Sequence, residues 1–189
     1  MKPKPKPKEL HIAGARLFGA PVFTDSRGSF EIFWEQTDFA GAGLVFTPTN
    51  AHHSYNARLG TIRAFHLQRP PHGQSKLVSC VSGKAWDVIL DLRPESPTFR
   101  QWVYIELTAA SGNAVYIPAG CAHGFATLED NTTIAYLIEG DYRPDFSSVV
   151  RWNDPALGID WPVSNPIISD KDLQALDLDS YLRSLRLGE

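Results

Sequence analysis

A chain of 189 residues, with hydrophobic residues at 43% and aromatics at 11%, has the composition of one well-buried domain and not of a disordered polymer. Its formal charge of −3, with both signs interspersed, leaves no basic footprint for nucleic acid and no polybasic patch for a membrane. The expected partner is a small molecule or a second copy of the chain.

Two cysteines, Cys80 and Cys121, are too few for a disulfide framework or, by themselves, a thiolate zinc site, and read as buried small hydrophobes in a reducing compartment. The opening MKPKPKPKEL alternates Lys with Pro and has no apolar core, so it is not a signal peptide. Residues 1–9 are expected to be a disordered leader and residues 10–189 a single domain, and no apolar run is long enough to span a bilayer.

EQTDFAGAG (35–43) predicts a short helix stopped by glycine. From about His11 to Trp161 the chain is a series of short runs rich in Val, Ile, Phe, Tyr and Trp, separated by Gly, Pro, Asn and Asp. KLVSCVSG, KAWDVILDLR, QWVYIELTA, NAVYIPAG and TTIAYLIEGDY are each of strand length and each closed by turn residues. The pair around Ser82-Gly83 predicts a tight hairpin. In the tail, SDKDLQALDLDSYLRSLR, Ser169 can cap a helix, with Leu173, Leu176 and Tyr181 on one side. Strands first and helix last, with no βαβ alternation, argue against a doubly wound nucleotide-binding sheet and for a mainly β, jelly-roll type domain with a short helical tail.

Two stretches carry the chemistry. GNAVYIPAGCAH (112–123) fits the second motif of the cupin barrel, in which a strand ends in a tight turn at Pro118 and Gly120 that delivers His123 to the barrel mouth. GTIRAFHLQRPPHGQSK (60–76) holds His66 and His72 between Arg63 and Lys76. In metal-binding cupins the earlier strand supplies a His-x-His pair and a glutamate. Here alternation puts Gln68 where the second ligand belongs, no glutamate follows between Arg69 and Lys84, and Lys76 would place a positive charge at the cation site. No metal and no cofactor are therefore expected. The same residues suit proton transfer: a histidine exchanges protons near neutral pH, a lysine stabilises an oxyanion, and Arg63 and Arg27 can hold phosphate or carboxylate.

The sequence resembles the dTDP-4-dehydrorhamnose 3,5-epimerase family, metal-free cupin-type enzymes of nucleotide-deoxysugar synthesis. The match is carried by Asp25-Ser-Arg27-Gly28-Ser-Phe30, by Ser54 to Gln68, by Gln74-Ser-Lys76 and by Asp87-Val with Asp91-Leu-Arg93. Further along it continues through Ser96-Pro-Thr-Phe99, Pro118 to Phe125, Tyr136 to Tyr142, Trp152 to Pro162 and Ser169-Asp-Lys-Asp172. The resemblance implies that His66 is the general base beside a C4 ketone, oriented by Asp172, and that Tyr136 returns the proton from the opposite face. It implies that Lys76 stabilises the enolate oxygen, that Arg63, His123 and Tyr142 line the sugar pocket and that Arg27 reaches the nucleotide diphosphate. Phe30 and Gln68 complete the implied substrate-binding set. It also implies a cytoplasmic homodimer acting on a nucleotide-diphosphate sugar.

The chain departs from the family pattern at Ala64-Phe65, where Arg-Gly-Leu or Arg-Gly-Met is usual, at His52, where many members have asparagine, and at Ile32, where most have glutamate. These are expected to fall in the nucleotide or sugar pocket. His72, in RPPHGQ, reads as a solvated loop residue, and the Trp86, Trp102, Trp152 and Trp161 set as core and interface. The rival readings are a C3-only epimerase or ketoisomerase, and a metal-dependent or merely sugar-binding cupin.

Overall fold

In the computed structural model, which describes residues 5–186, the apolar runs become thirteen strands. They are β1 (Lys8–Glu9), β2 (Arg16–Gly19), β3 (Val22–Asp25), β4 (Gly28–Glu31), β5 (Asn50–Asn56), β6 (Ile62–Gln68), β7 (Ser75–Ser82), β8 (Lys84–Asp91), β9 (Trp102–Thr108), β10 (Asn113–Ile117), β11 (Cys121–Thr127), β12 (Thr132–Glu139) and β13 (Ser147–Val149). A six-stranded sheet has the order β1-β2-β10-β7-β12-β5 and a five-stranded sheet the order β13-β6-β11-β8-β9. Strands β3 and β4 form a separate two-stranded arm. Every ladder is antiparallel, and the two main sheets face one another as a jelly-roll barrel.

Three apolar clusters hold this arrangement. Ile89, Phe125, Val78, Val115 and Ile134, drawn from both sheets, fill the space between them. The outer face of the five-stranded sheet is covered by the C-terminal segment, where Phe65, Trp86, Val88 and Leu90 pack on Trp161, Leu178 and Tyr181. Helix α1 (Gln36–Gly41) seals the outer face of the six-stranded sheet through Phe39, stacked on Phe18 and Phe46. Because β8 and β11 are covered on both faces, their residues are buried almost without interruption and show no in-out alternation.

The Ser82-Gly83 turn is not a hairpin. β7 pairs with β10 and β12, whereas β8 pairs with β9 and β11, so the chain changes sheet at Gly83. Gly83 has φ +75°, and a Cβ there would lie 2.5 Å from Thr132 Oγ1, so the crossing needs glycine. Composition alone reads the same for a crossing as for a hairpin.

Lys8–Glu9, inside the stretch expected to be a disordered leader, pairs with Leu17 and Arg16. The open edge of β2 offers backbone partners, and Glu9 accepts a 2.8 Å bond from Arg16. Residues 1–4 of that expected leader lie outside the described residues.

In the tail, Ser169 caps α2 (Asp170–Leu173), its hydroxyl accepting from the Asp172 N–H. The helix is one turn long and a second helix, α3 (Leu178–Arg186), follows. Between them Leu176 bridges to Val150 through its backbone. Leu173 and Leu176 consequently face solvent, and Leu178 and Tyr181 carry the burial instead.

Candidate active site

The site lies between the two sheets, and its base strand owes its shape to an irregularity. His123 on β11 pairs with His66 on β6, but Phe125 pairs with Arg63, so β6 carries one extra residue as a bulge. Strict alternation would send Arg63 and His66, three apart, to opposite faces; the bulge brings both to one cavity. Gly124 sits at the irregularity because a Cβ there would lie 2.4 Å from the Ala64 Cβ. Ala64 and Phe65 are fully buried on the outer face of the five-stranded sheet, under the C-terminal segment, with Phe65 5.7 Å from the Trp161 ring. That departure therefore packs the core and does not reshape the pocket as expected.

Two confluent cavities, of about 430 and 270 Å³, share His52, His66, Lys76 and Ile138. The five-stranded sheet contributes Arg63, His66 and His123. Facing them, the six-stranded sheet contributes Asn50, His52 and Ser54 from β5, Lys76 from β7, and Tyr136 and Ile138 from β12. Tyr142, exposed, and Lys171 line the outer cavity. His72 lies elsewhere, with its ring 4.4 Å from Phe146.

The tail folds back over the mouth and places Asp172, 2% exposed, with Oδ1 2.8 Å from His66 Nε2. Asp172 is thus both a residue of the first turn of α2 and the partner of a histidine 106 residues away. A carboxylate so placed fixes the ring and can stabilise an imidazolium on His66.

Lys76 Nζ approaches the His66 carbonyl oxygen at 3.5 Å. Burial pulls its ammonium down to about 8, and Asp87 offsets part of that. His123 and Asp87 form a second, fully enclosed pair at 2.7 Å, and the other Asp87 oxygen is buried with no partner. Tyr136 packs edge-on against the His123 ring, and burial pushes its hydroxyl well above the usual phenol range. That hydroxyl lies 3.2 Å from Ser54 Oγ.

Asn56, buried, ties the site to its frame. Its amide donates to the backbone oxygens of Ser54 and Thr132, and its oxygen accepts from Arg63 Nε at 2.9 Å. Gln68 lines the outer cavity, but its amide nitrogen donates to His72 O and Asp141 O and its oxygen accepts from Arg143 N. Its polar atoms clamp loops and are not offered to the cavity as a substrate-binding residue would offer them. Among the described residues no group of three or more His, Cys, Asp or Glu side chains forms a metal-ion site.

Arg27 and Phe30 are not in this cavity. Both belong to the β3–β4 arm, Arg27 exposed and paired with Asp25 at 2.6 Å, Phe30 65% exposed. Ile32 follows the same arm, outside the cavity, while His52 does line it, directly across from Tyr136 in the β5–β12 ladder.

The family model for dTDP-4-dehydrorhamnose 3,5-epimerase matches residues 9–180. The chain belongs to this family. It is 39% identical over 170 residues to dTDP-4-dehydrorhamnose 3,5-epimerase of Sinorhizobium fredii, covering 87% of this chain and 85% of that one. It is equally 39% identical to dTDP-4-dehydrorhamnose 3-epimerase of Streptomyces niveus, covering 89% and 82%. The crystal structure of dTDP-4-dehydrorhamnose 3,5-epimerase from Bacillus anthracis with TDP and pyrophosphate bound superimposes with a TM-score of 0.87 at 39% identity, covering 92% of this chain and 99% of that one.

The family motifs pointed to His66, Lys76, Tyr136, His123, Arg63, Tyr142 and Asp172, and the epimerase fold gathers all seven around one cleft. Ser54, Asn56 and Asp87 were part of the matching segments without being singled out. The signal for Ser54 was alternation along β5, which puts it on the same face as His52; nothing local marks the buried roles of Asn56 and Asp87.

Proposed function

We propose that the chain inverts C3, C5 or both of a dTDP-4-keto-6-deoxyhexose by enolisation. The observation that carries this is the opposition of His66, on one sheet and held by Asp172, to Tyr136 and Lys76 on the other. His66 Nε2 is engaged by Asp172, so the remaining ring nitrogen is the one that takes the proton α to the C4 ketone. The C–H bond breaks, its electron pair becomes the enolate, and the Lys76 ammonium neutralises the oxygen. Tyr136 gives its hydroxyl proton to the same carbon from the opposite face, which inverts it. The ketone supplies the acidity, so the step calls for neither metal nor redox cofactor.

Arg63, His123 and Tyr142 hold the sugar in this reading, which their lining of the two cavities supports. The diphosphate contact assigned to Arg27 and the substrate contact assigned to Phe30 would come from the arm of a second copy of the chain, because that arm stands apart from both sheets of its own copy, and this is the reason for reading the chain as a homodimer. The free, buried Cys80 and Cys121 are compatible with a reducing cytoplasm.

Inversion at C3 alone is the second reading, favoured by the equal identity to the Streptomyces niveus 3-epimerase. Incubation of dTDP-4-keto-6-deoxyglucose with the protein in D₂O, followed by NMR, tests both. Loss of the H3 and H5 signals supports two centres, loss of H3 alone supports one, and loss of neither refutes the proposal.

A further inference from the structure

Resting on that reading, the geometry points to a further participant: we infer that Ser54 returns the proton to Tyr136 between turnovers. Once Tyr136 has protonated carbon it is a phenolate, and the enzyme cannot turn over until a proton comes back. Among the described residues the hydrogen-bond partner of the Tyr136 hydroxyl is Ser54 Oγ, 3.2 Å away, and either oxygen can donate. The phenol is otherwise enclosed by the His123 ring and the apolar residues between the sheets. Substrate over the cleft would close its remaining route to water.

Ser54 is suited to the task by its position. It lies on β5, an edge strand of the six-stranded sheet with a pairing partner on one side only, and it is half-buried with exposed neighbours His53 and Tyr55. Asn56 clamps the Ser54 backbone oxygen at 3.2 Å, which fixes the strand that carries the hydroxyl. Ser54 therefore has its hydroxyl on Tyr136 and its strand at the surface.

The proton balance closes with water alone. The Ser54 O–H bond breaks and the Tyr136 O–H bond forms in the same event in which a solvent proton bonds to the Ser54 oxygen, so no alkoxide is left behind. His66, left as an imidazolium by the substrate carbon, gives its proton to solvent. A hydroxyl that donates to the phenolate also stabilises it, and burial raises the cost of leaving that anion without a donor. Ser54 acts through Tyr136 and does not touch the reacting carbon.

The test is rapid-quench kinetics on Ser54→Ala and Ser54→Thr, with the wild type in parallel. A preloaded Tyr136 serves the first turnover without help, so Ser54→Ala is expected to show a near-normal first turnover followed by steady-state turnover slowed roughly 10²-fold, the low end of what a positioned proton-transfer group contributes. Ser54→Thr, which keeps the hydroxyl, restores the steady state. An unchanged steady state in Ser54→Ala overturns the inference. So does equal slowing of the first and later turnovers, which would make Ser54 only an orienting contact for the phenol. Solvent exchange at C3 and C5 by the wild-type enzyme reads the underlying epimerase chemistry separately: its absence at both positions refutes the proposed function, whatever Ser54 does.

Discussion

The Asp172 carboxylate, on a single-turn helix of the tail, lies 2.8 Å from the ring of His66 in the middle of β6. In the proposed reaction a group 106 residues downstream thereby completes the base, so the C-terminal segment that covers the outer face of the five-stranded sheet also reaches the cleft. Asp172→Asn keeps the shape and the Ser169 cap, which uses the Asp172 backbone, but removes the charge that stabilises the imidazolium. Its turnover and its solvent exchange are expected to fall together by about 10²-fold or more with little change in KM, as measured by steady-state kinetics and NMR exchange.

Lys76 predicts opposite signs for activity and stability. If its ammonium neutralises the enolate, as proposed, then with its pKa lowered to about 8 by burial kcat/KM should fall as pH rises through that value. The folded protein binds fewer protons than the unfolded chain between about 8 and the ordinary lysine value of 10.5. Burial of the charge therefore costs stability below pH 8, and the cost is relieved as pH rises across that window. Lys76→Met should abolish exchange while raising Tm, read by calorimetry at pH 7.

His123 and Tyr136 touch edge-on but should fail differently when altered. Removing the imidazole in His123→Ala leaves Asp87 buried with no partner on either oxygen, which should lower stability by about 3–5 kcal/mol in urea unfolding. Tyr136→Phe keeps the packing and loses one hydrogen bond, so its stability should change by about 1 kcal/mol or less while inversion stops.

Away from the cleft, Asp91 is fully buried and accepts bonds from Arg93, Ser96 and Thr98. Burial alone would raise its carboxyl, but the Arg93 guanidinium and the two hydroxyls hold it well below the usual carboxylate range. A depressed carboxyl contributes stability that is fully present above the unfolded value of about 3.8 and is lost as pH falls below it. Asp91→Asn should destabilise the fold at neutral pH by about 2–3 kcal/mol and flatten the loss of stability below pH 4, seen by denaturation across pH.

The parts of the molecule that the sequence made legible are those written in local pattern. Strand-length apolar runs closed by Gly, Pro and Asn gave the β class, and the Pro118/Gly120 turn gave the place of His123. The sheet change at Gly83 was not legible, because a left-handed glycine serves a hairpin and a crossing alike. The bulge that turns Ala64 and Phe65 away from the cleft, under the C-terminal segment, depends on Gly124 of another strand, and no property of β6 alone announces it. Gln68 looked free to bind substrate until the loops holding His72, Asp141 and Arg143 came together around its amide. Arg27 and Phe30 matched the family motif, yet a motif fixes residue type and not which cavity the arm that bears it will reach.

The central claim is that His66 removes a substrate proton and Tyr136 replaces it from the other face. Position-resolved NMR of dTDP-4-keto-6-deoxyglucose in D₂O, run side by side on the wild type, His66→Ala and Tyr136→Phe, addresses it most directly. The account predicts deuterium entering an inverted carbon with the wild type, no exchange with His66→Ala, and exchange without inversion with Tyr136→Phe. Undiminished exchange in His66→Ala, or inversion persisting in Tyr136→Phe, would contradict it.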